Sequence, residues 1–354
     1  MSPRAREAFV AALDEGWADP ERLHSDSRRA RALLEGAREA IAAVLGSSPE
    51  HTQFVPTFGL AFDRMVAGVA AARRGSGTVA ASAIERRALL RCADRASEKV
   101  DLVGVDEVGV LDLAAFTTAV AAPGVSIAAV QHANQEVGTV QDLAAIHAAA
   151  DAAGVPLLVD ATSSIGHIDP PAHWDALAAD AADWGGPRGI AVLAFRPGTR
   201  KLPVPPIVID KVSVPAALAA AVALEEREEQ RAEVAERLRA LTGRIRAHAA
   251  SLPGGRVFGH PALDNPGSSL PHVVTFAIAG IDGEALASEL DRAGFSVGTG
   301  SACIVEASSE SHVLEALGAP GGGNIRIGLH PGVTDGDVTH FLSAVDGAAP
   351  RPKG

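Results

Sequence analysis

Short apolar runs alternate along the chain with longer stretches whose apolar residues recur at helical spacing. The runs at 126–131, 156–160, 190–195 and 273–278 have strand length and are bounded by turn-forming residues. Helical periodicity covers 27–45, 60–73, 111–121, 143–153 and 283–293. A longer helix is predicted over 215–250, where Val234, Leu238, Leu241 and Ile245 fall at i, i+4, i+7 and i+11 and form one buried stripe. Its run Glu225-Glu226-Arg227-Glu228-Glu229 reads as a solvated face. The stretch 197–206 is rich in Pro, Lys and Arg and reads as a loop. Strands alternating with helices predict an α/β fold with a mostly parallel sheet, and no internal repeat interrupts it.

With 354 residues the chain exceeds one average domain and suits two intertwined ones. A hydrophobic content of 47% is ample for a large core. Net charge is −12, from 31 Lys and Arg against 43 Asp and Glu, which argues against a nucleic-acid surface. No window reaches the uncharged apolar length of a membrane span, and the first residues lack a signal-peptide core. The two cysteines, Cys92 and Cys303, make no disulfide framework, so a reducing cytoplasmic compartment is expected. The absence of Tyr and the abundance of Ala and Gly read as compositional bias without functional content.

Candidate chemistry is sparse when the residues are taken alone. No HxH or HExxH spacing points to a metal site, and none is predicted. The runs Gly185-Gly186 and Gly321-Gly322-Gly323 are turns and fit neither a dinucleotide nor a P-loop fingerprint. No G-x-S-x-G elbow appears. Cys303 sits in a Gly/Ser-rich loop and reads as a retained reactive thiol, whereas Cys92 lies beside Leu89 and Leu90 and reads as core. His132, next to a buried strand, also reads as a core residue. Asp160 closes the apolar run at 156–160, where a functional acid and a simple turn cap are equal readings.

Several motifs, taken together, resemble the cysteine desulfurases of the class V aminotransferase family, pyridoxal phosphate enzymes of fold type I. Leu23-His24-Ser25 and the helix after it resemble the family's opening helix. Gln131-His132-Ala133-Asn134-Gln135-Glu136-Val137-Gly138 resembles H-x-N-N-E-x-G. The stretch 159–189 resembles VDAxQSxGH followed by S-x-H-K-x-x-G-P-x-G. Gly300-Ser301-Ala302-Cys303 resembles the persulfide-cysteine loop, and Asn324-Ile325-Arg326-Ile327-Gly328 resembles the strand whose Arg holds the substrate carboxylate. The resemblance spans nearly the whole chain. It implies a large α/β domain with a mainly parallel seven-stranded sheet over 1–234 and a smaller C-terminal α+β domain over 235–354. The first residues are candidates for packing on the small domain. A homodimer is also implied, because the family buries its active sites at the subunit interface. The chain opens after the point where the family's first short strand would lie, and poorer docking of the small domain is expected from that.

The departures from the family pattern fall on the cofactor site. The Schiff-base lysine position holds Asp183, and the His before it is Ala182. The position of the ring-stacking His holds Arg86. Phosphate-donor positions hold Gly59 and Asp180, and the loop at 208–212 matches nothing in the family. Asp160, Asn134, Gln135 and Ser163 stand at cofactor-binding positions, although Gln135 and Ser163 differ from the family's residues there. Asp180 and Asp183 would face a dianionic phosphate, and like charges about 4 Å apart cost about 4 kcal/mol at an intermediate dielectric. No cofactor is therefore expected, and pyridoxal phosphate would bind only weakly and without a covalent link. The expected function is that of a degenerate desulfurase homologue that relays sulfur through Cys303 or acts as a scaffold. In it Cys303 and Arg326 carry the function, and a desulfurase or sulfur-acceptor protein is the partner. Two alternatives stand beside it: an active enzyme using a displaced lysine, Lys201 or Lys211, and different chemistry from an acidic cluster of Asp160, Asp180 and Asp183.

Overall fold

The computed structural model describes residues 1–72, 77–199, 212–262, 265, 267–299, 311–319 and 323–348. These form two compact units, one made of Met1–Val103, Leu113–His132 and Asp142–Arg231, the other of Gly104–Asp112, Ala133–Gln141 and Ala232–Gly354.

In the first unit, helices α1 (Pro3–Glu15), α2 (Ser25–Leu45), α3 (Phe58–Ala72), α4 (Arg87–Ala96), α5 (Leu113–Val120) and α6 (Leu143–Ala152) surround one sheet. Its strands are β1 (Thr52–Val55), β2 (Thr78–Ser82), β3 (Lys99–Val103), β4 (Val125–Ala129), β5 (Leu157–Asp160), β6 (Ala176–Asp180) and β7 (Ala191–Phe195). The seven strands run in the order β1-β7-β6-β5-β4-β2-β3. Pairs from β6 through β5, β4 and β2 to β3 are parallel, whereas β7 is antiparallel to both β6 and β1. Strands β5 and β7 are buried at every position, as continuous apolar runs are when helices cover both faces. Helix α3 lays Phe62, Met65, Val66 and Val69 on this sheet against Ile127, Leu158 and Leu193. The parallel arrangement brings the carboxyl ends of β2, β4, β5 and β6 to one edge, where open α/β sheets keep their binding sites.

Helix α7 (Val214–Ser251) passes from the first unit into the second. The second unit adds β8 (Gly255–Phe258), β9 (Val273–Ile278), α8 (Gly283–Arg292), β10 (Gly298–Thr299), α9 (His312–Ala316), β11 (Asn324–Gly328) and α10 (Asp335–Ala348). Its four-stranded antiparallel sheet has the order β10-β11-β9-β8. The predicted stripe of α7 is real: Leu238, Leu241 and Ile245 are buried against Val274, Phe276 and Ile325, with Val234 partly buried beside them. No helix among the described residues is long and apolar enough to cross a membrane.

Two expectations change. The acidic run of α7 is not a uniformly solvated face. Glu226 accepts a hydrogen bond from Ser2 Oγ at 2.6 Å, and Glu228 pairs with Arg231 at 3.0 Å. Arg227 lies against the turn at Gly166 and Trp184, leaving only the ends of the run, Glu225 and Glu229, exposed. The helix predicted from 111 begins at Leu113 instead. Leu111 bridges to Val105, and its N–H donates to Gln141 Oε1 at 3.0 Å.

Candidate functional site

The carboxyl end of β5 delivers Asp160, which is 2% exposed and needs a partner at that depth. It has several. Arg86 donates from Nε to Asp160 Oδ2 at 2.9 Å, and the N–H of Thr162 donates to Oδ1 at 2.9 Å. The backbone carbonyl of Asp160 accepts from the N–H of His132 at 2.8 Å. Asp160 therefore caps the following turn and also serves as a counterion. Arg86 reaches it from the residues after β2, immediately ahead of α4. Its Nη2 donates to Ser163 Oγ at 3.2 Å, and its guanidinium lies 5.2 Å from the centre of the Phe58 ring. Burial alone would lower the Arg86 pKa. The nearby carboxylates, Asp160 first, outweigh it and leave the guanidinium more firmly charged than usual.

Beneath Arg86, Glu85 is fully buried and accepts from the N–H of Gln131 at 2.8 Å. Burial raises its pKa well above the usual carboxylate range. His132 is buried as well; its Nδ1 lies 2.8 Å from Ser164 Oγ, and burial pushes its pKa down to about 4. It is neutral at physiological pH and acts as a satisfied core residue.

The second half of the site is the tight turn Ala181–Trp184 after β6. Asp180, expected to confront a phosphate, is instead its cap: Oδ1 accepts from the N–H of Ala182 at 3.0 Å. Ala182 contributes that N–H and a methyl group. Gly185 closes the turn at φ 91°, and Gly186 N–H returns to Ala181 O at 2.8 Å. His167 donates from Nε2 to the backbone carbonyl of Asp183 at 2.8 Å. Burial lowers the His167 pKa to about 4, so a neutral ring makes this bond. The Asp183 carboxylate keeps an exposed side while protein crowds the other, near Arg86, Asp180, Asp160 and Arg188. Burial, resisted by Arg86 and reinforced by Asp180 and Asp160, raises its pKa to about 6.

Gly59 lies on the first turn of α3, and a Cβ there would meet nothing within 4 Å, so packing does not demand a glycine. Asn134, Gln135 and Arg326 belong to the second unit. Asn134 Oδ1 accepts from the N–H groups of Glu136 and Val137 at 2.8 and 2.9 Å, fixing its own turn. The Oε1 of Gln135 is buried and makes no hydrogen bond among the described residues. Arg326 stands on β11 opposite Gly298, where an added Cβ would lie 3.3 Å from its Nη2. Cys303, Lys201 and Lys211 lie outside the described residues. The structure thus gathers Arg86, Asp160 and Ser163 by direct bonds, with Asp183 as an electrostatic neighbour.

Sequence reasoning missed the ion pair between Arg86 and Asp160 and the anchoring role of His167. The signals were a basic residue just after one strand of a parallel sheet, and the His of the Gly166-His167 pair within the 159–189 motif. Chemically, the described site offers a buried acid for a cationic or N–H group, already answered by Arg86. Among the described residues that make up the site, none is a lysine.

The model of the family described as aminotransferase class V matches residues 8–207. Among curated proteins, the chain is 29% identical over 372 residues to "Cysteine desulfurase IscS 1" of Archaeoglobus fulgidus, covering 99% of this chain and 94% of that protein. It is 27% identical over 369 residues to "Cysteine desulfurase" of Cereibacter sphaeroides, covering 98% and 92%. Among solved structures, a "NifS-like protein" superposes with a TM-score of 0.87 at 25% identity, covering 98% of this chain and 95% of that one. The apo cysteine desulfurase of Thermococcus onnurineus NA1 shares the fold at a TM-score of 0.81 and 21% identity, covering 98% and 93%. These relatives correct the expectation that no cofactor is involved. Cysteine desulfurases depend on pyridoxal phosphate, and the likeness points to that cofactor. With a family match over most of its first unit and relatives along its full length, the chain belongs to the class V aminotransferase family, on its cysteine desulfurase-like side.

Proposed function

We propose that this chain is a degenerate cysteine desulfurase homologue that has left its family's turnover and accepts or relays sulfur on Cys303, or holds an active desulfurase as a scaffold. The observation that carries the reading is Asp183, a carboxylate on a backbone-anchored turn at the position of the family's amine. Pyridoxal phosphate, the cofactor to which the relatives point, supplies an electron sink for an amino-acid substrate when bound. Asp160 and Ser163 stand at the family positions for its ring but both are engaged by Arg86, Asn134 and Gln135 stand at further family positions, and no described residue of the site supplies an amine. Arg326 stands at the family's carboxylate-holding position. In the sulfur step, the Cys303 thiolate attacks the outer sulfur of a donor persulfide and the donor departs as a thiol. The same reading takes the chain to be a cytoplasmic homodimer that meets a desulfurase or a sulfur-acceptor protein.

The test is incubation with an active desulfurase and cysteine, followed by peptide mass mapping. One added sulfur on Cys303, absent from Cys303→Ser, is expected. No sulfur on Cys303 ends the relay and leaves the scaffold. Borohydride reduction in the presence of pyridoxal phosphate tests the displaced-lysine alternative, because a pyridoxyl group on Lys201 or Lys211 would make the chain an active enzyme. A different chemistry is favoured by one observation: Asp183, with a pKa of about 6 and an exposed side, has the properties of a general base.

A further inference from the structure

The Arg86 side chain sits in its site as a small planar cation would. One edge gives Nε–H to Asp160 Oδ2 at 2.9 Å and Nη2–H to Ser163 Oγ at 3.2 Å, and the guanidinium lies 5.2 Å from the centre of the Phe58 ring. A protonated pyridine ring has the same attributes: a flat face, a positive charge and an N–H at its edge. Asp160 Oδ1 is already taken by the N–H of Thr162. Oδ2 is therefore the oxygen for which the guanidinium and the ring of pyridoxal phosphate compete.

Two features make Arg86 displaceable. The first is its place at the start of α4. Its carbonyl accepts from the N–H groups of Leu89 and Leu90 at 2.9 and 3.1 Å, while its side chain caps nothing on the helix. The side chain can turn while the backbone stays fixed. The second is Asp183. Its carboxylate makes no hydrogen bond among the described residues, and Arg86 is the foremost positive charge acting on it, ahead of Arg188. Leaving Asp160 for water would strand a buried carboxylate. An exchange of partners avoids this, because a ring N–H answers Asp160 and Asp183 answers Arg86. The same move sets a cation beside the acid that would otherwise repel a dianionic phosphate.

We propose that Arg86 is a displaceable internal ligand with two seats: it holds Asp160 in the arrangement described, and it moves to Asp183 when the ring of pyridoxal phosphate takes Asp160. Affinity for the ring is then set by how often Arg86 stands aside. A latch shut about nine-tenths of the time lowers the apparent affinity about tenfold. Asp183 is part of the latch, since it stabilises the displaced arginine. The inference stands apart from the sulfur step at Cys303, so a failed relay leaves it untouched.

The test is equilibrium dialysis of the full chain against pyridoxamine phosphate, which has the ring and the phosphate but no aldehyde to react with surface lysines. Circular dichroism confirms that each variant is folded. Arg86→Ala should bind about tenfold more tightly than the parent, and Asp183→Asn about tenfold less tightly. In the Arg86→Ala background, Asp183→Asn should no longer weaken binding. Simple relief of repulsion between Asp183 and the phosphate predicts the opposite sign for Asp183→Asn. That single variant therefore decides the matter even if Arg86→Ala does not fold. Binding by Asp183→Asn equal to or tighter than that of the parent overturns the proposal. So does a folded Arg86→Ala that binds no more tightly than the parent or does not bind.

Discussion

His167 holds the turn at Asp183 through the backbone: its Nε2 donates to the Asp183 carbonyl at 2.8 Å, whatever side chain residue 183 carries. Gly166 next to it packs so closely that a Cβ would meet Arg227 Cγ at 2.6 Å and Trp184 Cβ at 2.8 Å. Asp183→Lys therefore keeps the turn and supplies an amine in its place. Sulfide release from cysteine in the presence of pyridoxal phosphate is nevertheless expected to stay at the background of the parent protein, because Arg86 still engages Asp160. Members of a catalytic unit act together rather than additively. Robust sulfide production by this single variant would refute the claim of a degenerate site.

Breaking the Arg86–Asp160 pair leaves a carboxylate of 2% exposure without its counterion. Arg86→Leu should lose about 3 kcal/mol at neutral pH, the lower end of the usual range for buried pairs, since the Arg86 side chain keeps 25% of its exposure. Asp160→Asn added to it should return more than half of the loss. Urea unfolding of both variants checks this, and a single-variant loss near zero would show that water already solvates the pair.

The Asp183 carboxyl is raised to about 6, first by burial. Its folded-state pKa lies above the unfolded value, so the folded chain holds this proton more tightly. Stability from this group is greatest in acid, falls as pH rises from about 4 to about 6, and is constant above that. Asp183→Asn should remove the slope. Its Tm relative to the parent should rise across that window and level off near neutrality, by an amount tempered by solvent at the exposed side of the residue. A Tm difference independent of pH between 4 and 7 would show that the carboxyl titrates normally.

Burial, helped by Asp63, pushes the Cys92 thiol up to about 11, and the residue is buried in the α3–α4 packing. Thiolate fraction and access together set alkylation rates. Iodoacetamide at pH 7 should leave Cys92 unlabelled in the folded protein and modify it after denaturation, with Cys303 labelled first. Rapid labelling of Cys92 in the native protein would show that α4 opens readily.

Strands β4, β5 and β7 were legible because the sheet is covered on both faces, so that 156–160 and 190–195 carry almost nothing but apolar residues, whereas β1, β2, β3 and β6 were not read. The stripe of Leu238, Leu241 and Ile245 was legible for the same reason on one side of a helix. Asp160 could be placed from its position at a strand end. Its counterion could not, since Arg86 lies 74 residues away and only the strand order makes them neighbours. Asp180 had the chemistry of a cap all along, yet the family pattern suggested a phosphate instead. The α7 run was misread because periodicity tells which residues share a side, and not what lies against that side.

The edge strand β1 has a single neighbour, β7, in a register that sets Thr52 against Ala194 and Val55 against Ala191. A ribosome making this chain releases β1 long before β7, a gap on the order of ten seconds at typical synthesis rates. Until β7 emerges the donors and acceptors of β1 have no sheet to join, although β2 to β6 pair among themselves as each is made. Closure of the sheet is thus timed by its last strand. Nascent chains halted before residue 195 should be the ones that chaperones retain and proteases trim.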